Sequence, residues 1–404
     1  MLNTLLSLSA LPFIFTGGYS SYTSWSTSLN LLFFYITWST LLFSHPPIKI
    51  ELVGTLIIRI LFFWLPAIIF LLFDSALPSL AANIKLQGKE GLGKKKGGEY
   101  AIERLKIVAW AGFNTILGIA VQGAVEYGFT KVLKRKSALR ISSKLPLPGE
   151  ILWDVSRGVL VREVLTYYLH RHLLHQSPAP TSTRSRIKSS LSPATRIPLL
   201  ASLHLQWSHH LTAPLSFSAH SDHPICHLLT RILPLYLPAI LFRFHLLTYF
   251  IFLALISLEE VITYSGYSIF HYSILGGATR RVDRHYQSCC TPSVRTLISR
   301  LSGRATAAVT GEEEKDAIDR IGNFGIWGAL DWLHGTSVGR SEDEQLEQEL
   351  ADEREEVGDM VREVMEKVVE KRRGRSSVGV ERRAGSMGSG ASRRRERERE
   401  RERD

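Results

Sequence analysis

Leu228–Leu258, LLTRILPLYLPAILFRFHLLTYFIFLALISL, decides the fold. It is too long for one membrane span, because a helix crosses the hydrocarbon core in about 20 residues. Pro234 and Pro238 interrupt its first half, and Arg243 stands near its middle. A bare charge in lipid costs at least about 2.5 kcal/mol, so Arg243 is expected at an interface or against protein. The stretch reads as a tight hairpin of two helices, or as one span preceded by a re-entrant piece. Glu259 and Glu260, which end it, read as interfacial anchors.

Working outward, Leu52–Phe73 is the strongest single span, with twenty-two residues and one charge, Arg59. Ile107–Val125 is another candidate, with Asn114 and Gln122 inside it. Basic residues crowd both of its flanks, Lys85 to Lys106 on one side and Lys131 to Lys144 on the other. By the positive-inside rule both flanks belong in the cytosol, so this segment is expected to be re-entrant or interfacial. Leu31–Phe43 and Leu5–Phe15 are shorter. The start lacks a positive n-region, and Leu5–Phe15 reads as an anchor rather than a cleaved signal. The expected fold is all-α: a multi-spanning membrane helical bundle of four to six spans, with a histidine-rich cytosolic cap and a disordered charged C-terminal tail.

Charge and cysteines exclude several classes. The net charge is +11, but residues 372–404 carry twelve Arg against five Glu and one Asp, so +6 of it comes from the tail. The alternating Arg-Glu run neutralises itself, and no nucleic-acid partner is expected. Cys226, Cys289 and Cys290 lack metal or redox spacing and fit thiols kept reduced on a cytosolic face. Gly91–Gly98 (GLGKKKGG) follows no strand and lacks the Walker spacing, so it reads as a basic membrane-surface loop. Ser177–Ser192 and Ser288–Asp319 read as flexible loops. Glu342–Lys371 reads as a charged amphipathic helix and Arg372–Asp404 as disordered. The expected division is 1–100 for the anchor segments and basic loop, 101–340 for a catalytic domain, 341–371 for the helix and 372–404 for the tail.

Thirteen of the fourteen histidines lie between His170 and His334. They come in groups: YYLHRHLLH with His170, His172 and His175; LHLQWSHH with His204, His209 and His210; AHSDHP with His220 and His223, His227 just after. His245, His271, His285 and His334 follow. Imidazole is a good ligand for iron, zinc or copper. His172 and His175 are three apart and share a helical face. His170 and His175 are five apart, which a regular helix splays and a π-bulge would reunite. The groups flank the apolar hairpin, which puts a metal at the membrane surface within reach of a lipid chain. HExxH, Glu-x-x-His and Gly-x-Ser-x-Gly are all missing from the sequence, which removes zincins, ferritin-like carboxylate sites and the α/β-hydrolase elbow.

Residues from about 100 to 340 resemble the fatty acid hydroxylase/sterol desaturase superfamily, most closely its fungal members. YYLHRHLLH looks like the first histidine box. LHLQWSHH with APLSFSAHSDHP looks like the second box and its His-Pro element. SLEEVITYSGYSI and LGGATRRVDRH look like the approach to the third, and GNFGIWGALDWLHGTS like the Asn-Tyr-Gly and Asp…Gly-Thr ending. The resemblance implies two irons, dioxygen activation, and electrons from cytochrome b5 and its NAD(P)H-dependent reductase. It implies an enzyme of the endoplasmic-reticulum membrane that hydroxylates or desaturates a sterol, fatty acid or sphingolipid. By matching positions, His170, His175, His204, His209, His220, His223 and His285 are the expected ligands. His172, His210 and His271 are possible additional ones, and Asp283 is a candidate to orient a ligand. The chain departs from the pattern in three places, one being the insertion Ser288–Asp319 that separates the third box from GNFG. The second cluster is His-x4-His-His, and in the third Arg284 replaces one of the paired histidines. The thinned third box motivates the alternative of a catalytically degenerate member acting as a membrane scaffold or lipid-binding protein. A metal or proton transporter is disfavoured, because the histidines lie mainly outside the apolar runs.

Overall fold

The computed structural model describes residues 25–92, 98–176, 198–267, 273–302 and 311–339. The chain divides into units Met1–Val338 and Gly339–Asp404, and every described helix belongs to the first. The expectations for Leu5–Phe15, Ser177–Ser192, Glu342–Lys371 and Arg372–Asp404 fall outside the described residues.

The described part is all helical, with helices α1 (Trp25–Ser44), α2 (Pro47–Ala76), α3 (Pro78–Ile84), α4 (Gly98–Tyr127), α5 (Pro148–Leu169), α6 (Leu199–Trp207), α7 (Pro224–Leu241), α8 (Leu246–Thr263), α9 (Ile274–Cys289), α10 (Pro292–Leu301), α11 (Gly311–Asp319) and α12 (Ala329–Leu333). Four segments among the described residues are long and apolar enough to cross a membrane: Pro47–Ala76, Ile102–Val132, Pro224–Leu241 and Leu246–Thr263. They make this a multi-pass membrane protein. α2 exposes Val53, Leu56, Ile60, Leu61, Leu65, Ile68, Ile69 and Leu72 along one side. An apolar surface of that extent is what lipid covers.

The long apolar stretch is indeed a helical hairpin. α7 and α8 are joined at Phe242–His245, where Arg243 takes a left-handed φ of 49° and lies exposed at the turn. His245 caps α8 by accepting from the Leu247 amide at 3.2 Å. Ile102–Val132 is continuous helix of spanning length, not a short re-entrant piece. Two π-turns, Ile60–Trp64 and Leu228–Ile232, each stand just before a proline, Pro66 and Pro234. Proline offers no N–H and crowds the carbonyl four residues back, so the preceding turn widens.

Polar groups inside the spans pair with one another, as an apolar medium requires. Glu51 accepts from Gln122 at 2.7 Å and from Tyr236 at 2.8 Å, and Gln122 accepts from Tyr249 at 3.1 Å. Glu259 and Glu260 are buried rather than interfacial. They face the equally buried Arg162 and Arg59, at 3.0 and 2.8 Å. A cation on each neighbouring helix draws these carboxylates inward.

Ser288–Asp319 is not a loop where it is described. α10 and α11 bury Val294, Leu297, Ala317 and Ile318 in a core with Tyr167, Leu205 and Phe324. Ile298 and Leu301 pack against the same core.

Candidate metal centre

Four elements deliver the histidines. α5 runs into a π-turn, His170–Leu174, closed by the His175 amide donating to the His170 carbonyl at 3.0 Å. On a regular helix five residues subtend about 500°, which leaves the two side chains about 140° apart. The wider turn brings the His170 and His175 rings to 4.9 Å. The same turn throws His172 outward, where it is exposed and stacks on Tyr168. The expectation that His172 and His175 share a face therefore fails. α6 carries His204, and His209 follows its C-terminus. α9 carries His285.

The ligating nitrogens of His170, His175, His204, His209 and His285 all lie within 4.8 Å of one another. His204 is central, its Nε2 at 3.3 Å from His170 Nε2 and 3.1 Å from His209 Nε2. Three rings are fixed from behind. His170 Nδ1 donates to the Phe324 carbonyl at 3.0 Å, His285 Nδ1 to the Gly322 carbonyl at 2.8 Å, and His204 Nδ1 to Asp222 at 2.6 Å. A carbonyl can only accept, so the proton is on Nδ1 and the Nε2 lone pair points inward. His285 Nε2, His209 Nδ1 and both nitrogens of His175 are buried without a hydrogen-bond partner.

Bare lone pairs facing each other repel, and a cation between them removes the repulsion. Metal–imidazole bonds of about 2.0–2.1 Å place neighbouring ligand nitrogens about 3.0–3.4 Å apart, the spacing seen around His204. Burial holds the imidazoles of His170, His175 and His209 well below their ordinary range, and the neighbouring histidines push the same way. His285 is lowered to about 4, chiefly by burial. These four shifts favour the neutral imidazole, the form that binds a metal. The donor set fits a transition-metal ion.

The loop after α11 builds the back wall. Buried Asp331 accepts from the Phe324 and Gly325 amides, both at 2.8 Å, and from the Thr336 hydroxyl at 2.8 Å. Asn323 takes a left-handed φ of 59° and exchanges hydrogen bonds with Val338. A Cβ on Gly322 would meet the Thr336 carbonyl oxygen at 2.4 Å. This wall presents the two carbonyls that fix His170 and His285.

Other expected ligands lie elsewhere. His220 ends a 3-10 turn, Ser216–His220, whose Phe217 and Ala219 pack with Phe63 of α2. Asn114 of α4 holds the carbonyls of His220 and Asp222, at 2.8 and 2.7 Å. The His220 ring stacks on Phe63 and bonds Glu260 at 3.0 Å, away from the five. His223 caps α7 by accepting from Ile225 and packs on Trp207. His210 is exposed, beside the Trp207 carbonyl. His271 lies outside the described residues. Asp283 accepts from Gln87 and Gln287 at 2.6 and 2.8 Å, and the carboxylate that orients a cluster histidine is Asp222 instead. Sequence reasoning missed Asp222, and it placed Asp331 within the Asp…Gly-Thr ending without assigning it a role. The only signal for Asp222 was its place inside SDHP.

Beside the cluster is a small cavity of about 40 Å³, room for about three waters. Arg231, Tyr264, Val282, Tyr286 and Ser218 line its far side.

Fold and site together define a multi-pass helical membrane protein with a buried cluster of five histidines that could hold a metal ion. Residues 155–290 match the family model described as Fatty acid hydroxylase, in agreement with the resemblance to the fatty acid hydroxylase/sterol desaturase superfamily. All five clustered histidines and the helical hairpin fall within the matched span. No solved structure matches the chain.

Proposed function

We propose that this protein is an iron-dependent membrane oxidoreductase that uses dioxygen to hydroxylate or desaturate a lipid: a sterol, fatty acid or sphingolipid. The observation that carries the reading is the five-histidine cluster, bare nitrogens inward, within the span that matches the family. Hydroxylation consumes one dioxygen, two electrons and two protons, placing one oxygen in a C–H bond and the other in water. Desaturation consumes the same and releases two waters. Bound iron would supply the dioxygen chemistry, with electrons from a cytochrome b5-type donor and its NAD(P)H reductase in the endoplasmic-reticulum membrane.

The chain's own residues have separate tasks. His170, His175, His204, His209 and His285 would hold the metal. Asp222 and the Gly322 and Phe324 carbonyls keep three of those rings in the ligating tautomer. The apolar helices α7 and α8 give a lipid a dry approach, and burial of the cluster keeps bulk water out. The purified chain, supplied with iron, dioxygen, the electron donors and a membrane lipid extract, is expected to yield oxygenated or newly unsaturated lipid by mass spectrometry. No product above that of His204→Ala would overturn the reading. The single histidine that α9 contributes favours a second one, a degenerate member that binds lipid without oxidising it. A biological role that survives His175→Ala would support that alternative.

A further inference from the structure

We infer that the histidine centre is built for one metal ion and not for a pair, with the Arg231 guanidinium standing in the polar space beside it. The inference rests on the proposed metal function and deepens it.

A pair of ions about 3.5–4 Å apart needs donors spread around two centres. With about four to six ligands each, two ions call for about eight or more donor atoms. The described residues bring together five nitrogen donors, and their ligating atoms converge on one space within 4.8 Å. None of the three fixed rings can bridge, because each Nδ1 is committed to Asp222 or to a backbone carbonyl.

Carboxylates do not make up the deficit. Asp222 spends Oδ2 on His204 and Oδ1 on the His223 amide at 2.6 Å. Glu260 is held by Arg59 and His220. Asp331 is held by two amides and a hydroxyl. Among the described residues, His172, His210, His220, His223 and His227 lie outside the group; His227, though buried with both nitrogens unpartnered, sits beside His220 rather than with the five.

The neighbouring space is furnished for something else. Arg231 donates to the Tyr264 hydroxyl and lies over that ring at 4.7 Å. Tyr286 donates to Ser218 at 3.4 Å. Val282, one helical turn before Tyr286 on α9, lines the same cavity with hydrocarbon. A guanidinium stays charged at any ordinary pH. It repels a second cation and offers only donors, while the phenols are tied to other partners. The cavity therefore suits a hydrogen-bonded molecule beside one ion.

The test counts metal on the full chain in detergent. The metal-free protein is titrated with Fe(II) without oxygen, and separately with Co(II) as a magnetic probe. One ion per chain is expected, with a cobalt spin signal that accounts for all the bound metal. Two ions per chain, or a signal quenched by coupling, would overturn the inference and leave the metal reading standing. No tight binding of either ion would overturn both. His271→Ala is expected to load the same single ion. A fall in that count would bring a further ligand into the centre and overturn the five-histidine assignment.

Discussion

Two buried histidine clusters lie in this protein, and they close their charge in opposite ways. The network around His220 is closed from within. Glu260 meets Arg59 at 2.8 Å and His220 at 3.0 Å, and Arg59 also donates to Ser257 at 3.0 Å. The five-histidine cluster takes one carboxylate, Asp222 on the outer nitrogen of His204 at 2.6 Å, while its inward nitrogens have only each other. The first cluster balances its charge as it stands, although His227 beside His220 keeps both ring nitrogens without a partner, whereas the second turns its open nitrogens on one another. Burial and histidine content do not separate structural from functional polar groups; the balance of donors and acceptors does.

That contrast can be broken at several points. The largest effect is expected from His204→Ala, which removes the central nitrogen and should abolish tight metal binding, while His220→Ala leaves the metal content of the folded protein intact. Equal metal loss in both variants, read by elemental analysis, would erase the distinction. Glu260→Gln should cost about 3–5 kcal/mol of stability, because it strands Arg59 in a buried setting. Thermal unfolding in detergent measures this, and the surviving folded fraction should still carry metal.

Asp222→Asn should weaken metal affinity by about 10–100-fold without unfolding the protein, since it disturbs the ring orientation and basicity of His204 alone. A competitive chelator titration reads that loss. Gly322→Ala should cost about 1–3 kcal/mol, as a Cβ there runs into rigid backbone.

The smallest effect is acid sensitivity from His220. Burial lowers its imidazole to about 4, despite the pull of Glu260 in the other direction. Unfolded, it titrates near about 6.5. Below that pH the unfolded chain takes up a proton that the folded chain refuses. Stability present above about pH 6.5 is therefore lost as pH falls toward 4. The slope of melting temperature against pH over that window should be shallower in His220→Gln, and an unchanged slope would remove His220 from the account.

The helices and the hairpin were legible in the sequence because apolar runs and prolines are local signals. The π-turn was legible too, since only a widened turn reconciles His170 with His175. The partition of histidines was not. His220 and His223 flank Asp222 within the grouped run, yet Asn114, more than a hundred residues earlier, fixes the local backbone and turns His220 toward α2 and α8. Asp331 stood in the Asp…Gly-Thr ending, but its role was not legible for a similar reason, as it holds backbone amides in a loop whose carbonyls hold the rings. Polar composition masked α10 and α11, although Val294, Leu297, Ile298 and Leu301 do carry a helical i, i+3, i+4, i+7 spacing in α10.

The wall that fixes the rings has a consequence for how the protein is made. The acceptor for His170 lies 154 residues downstream, and that for His285 lies 37 downstream. A growing chain exposes its first four cluster histidines before the loop around Asp331 exists to set the tautomer of His170. The cage is therefore the last part of the unit to be completed, and a chain ending between His285 and Asp331 would carry all five histidines without the wall that fixes His170 and His285.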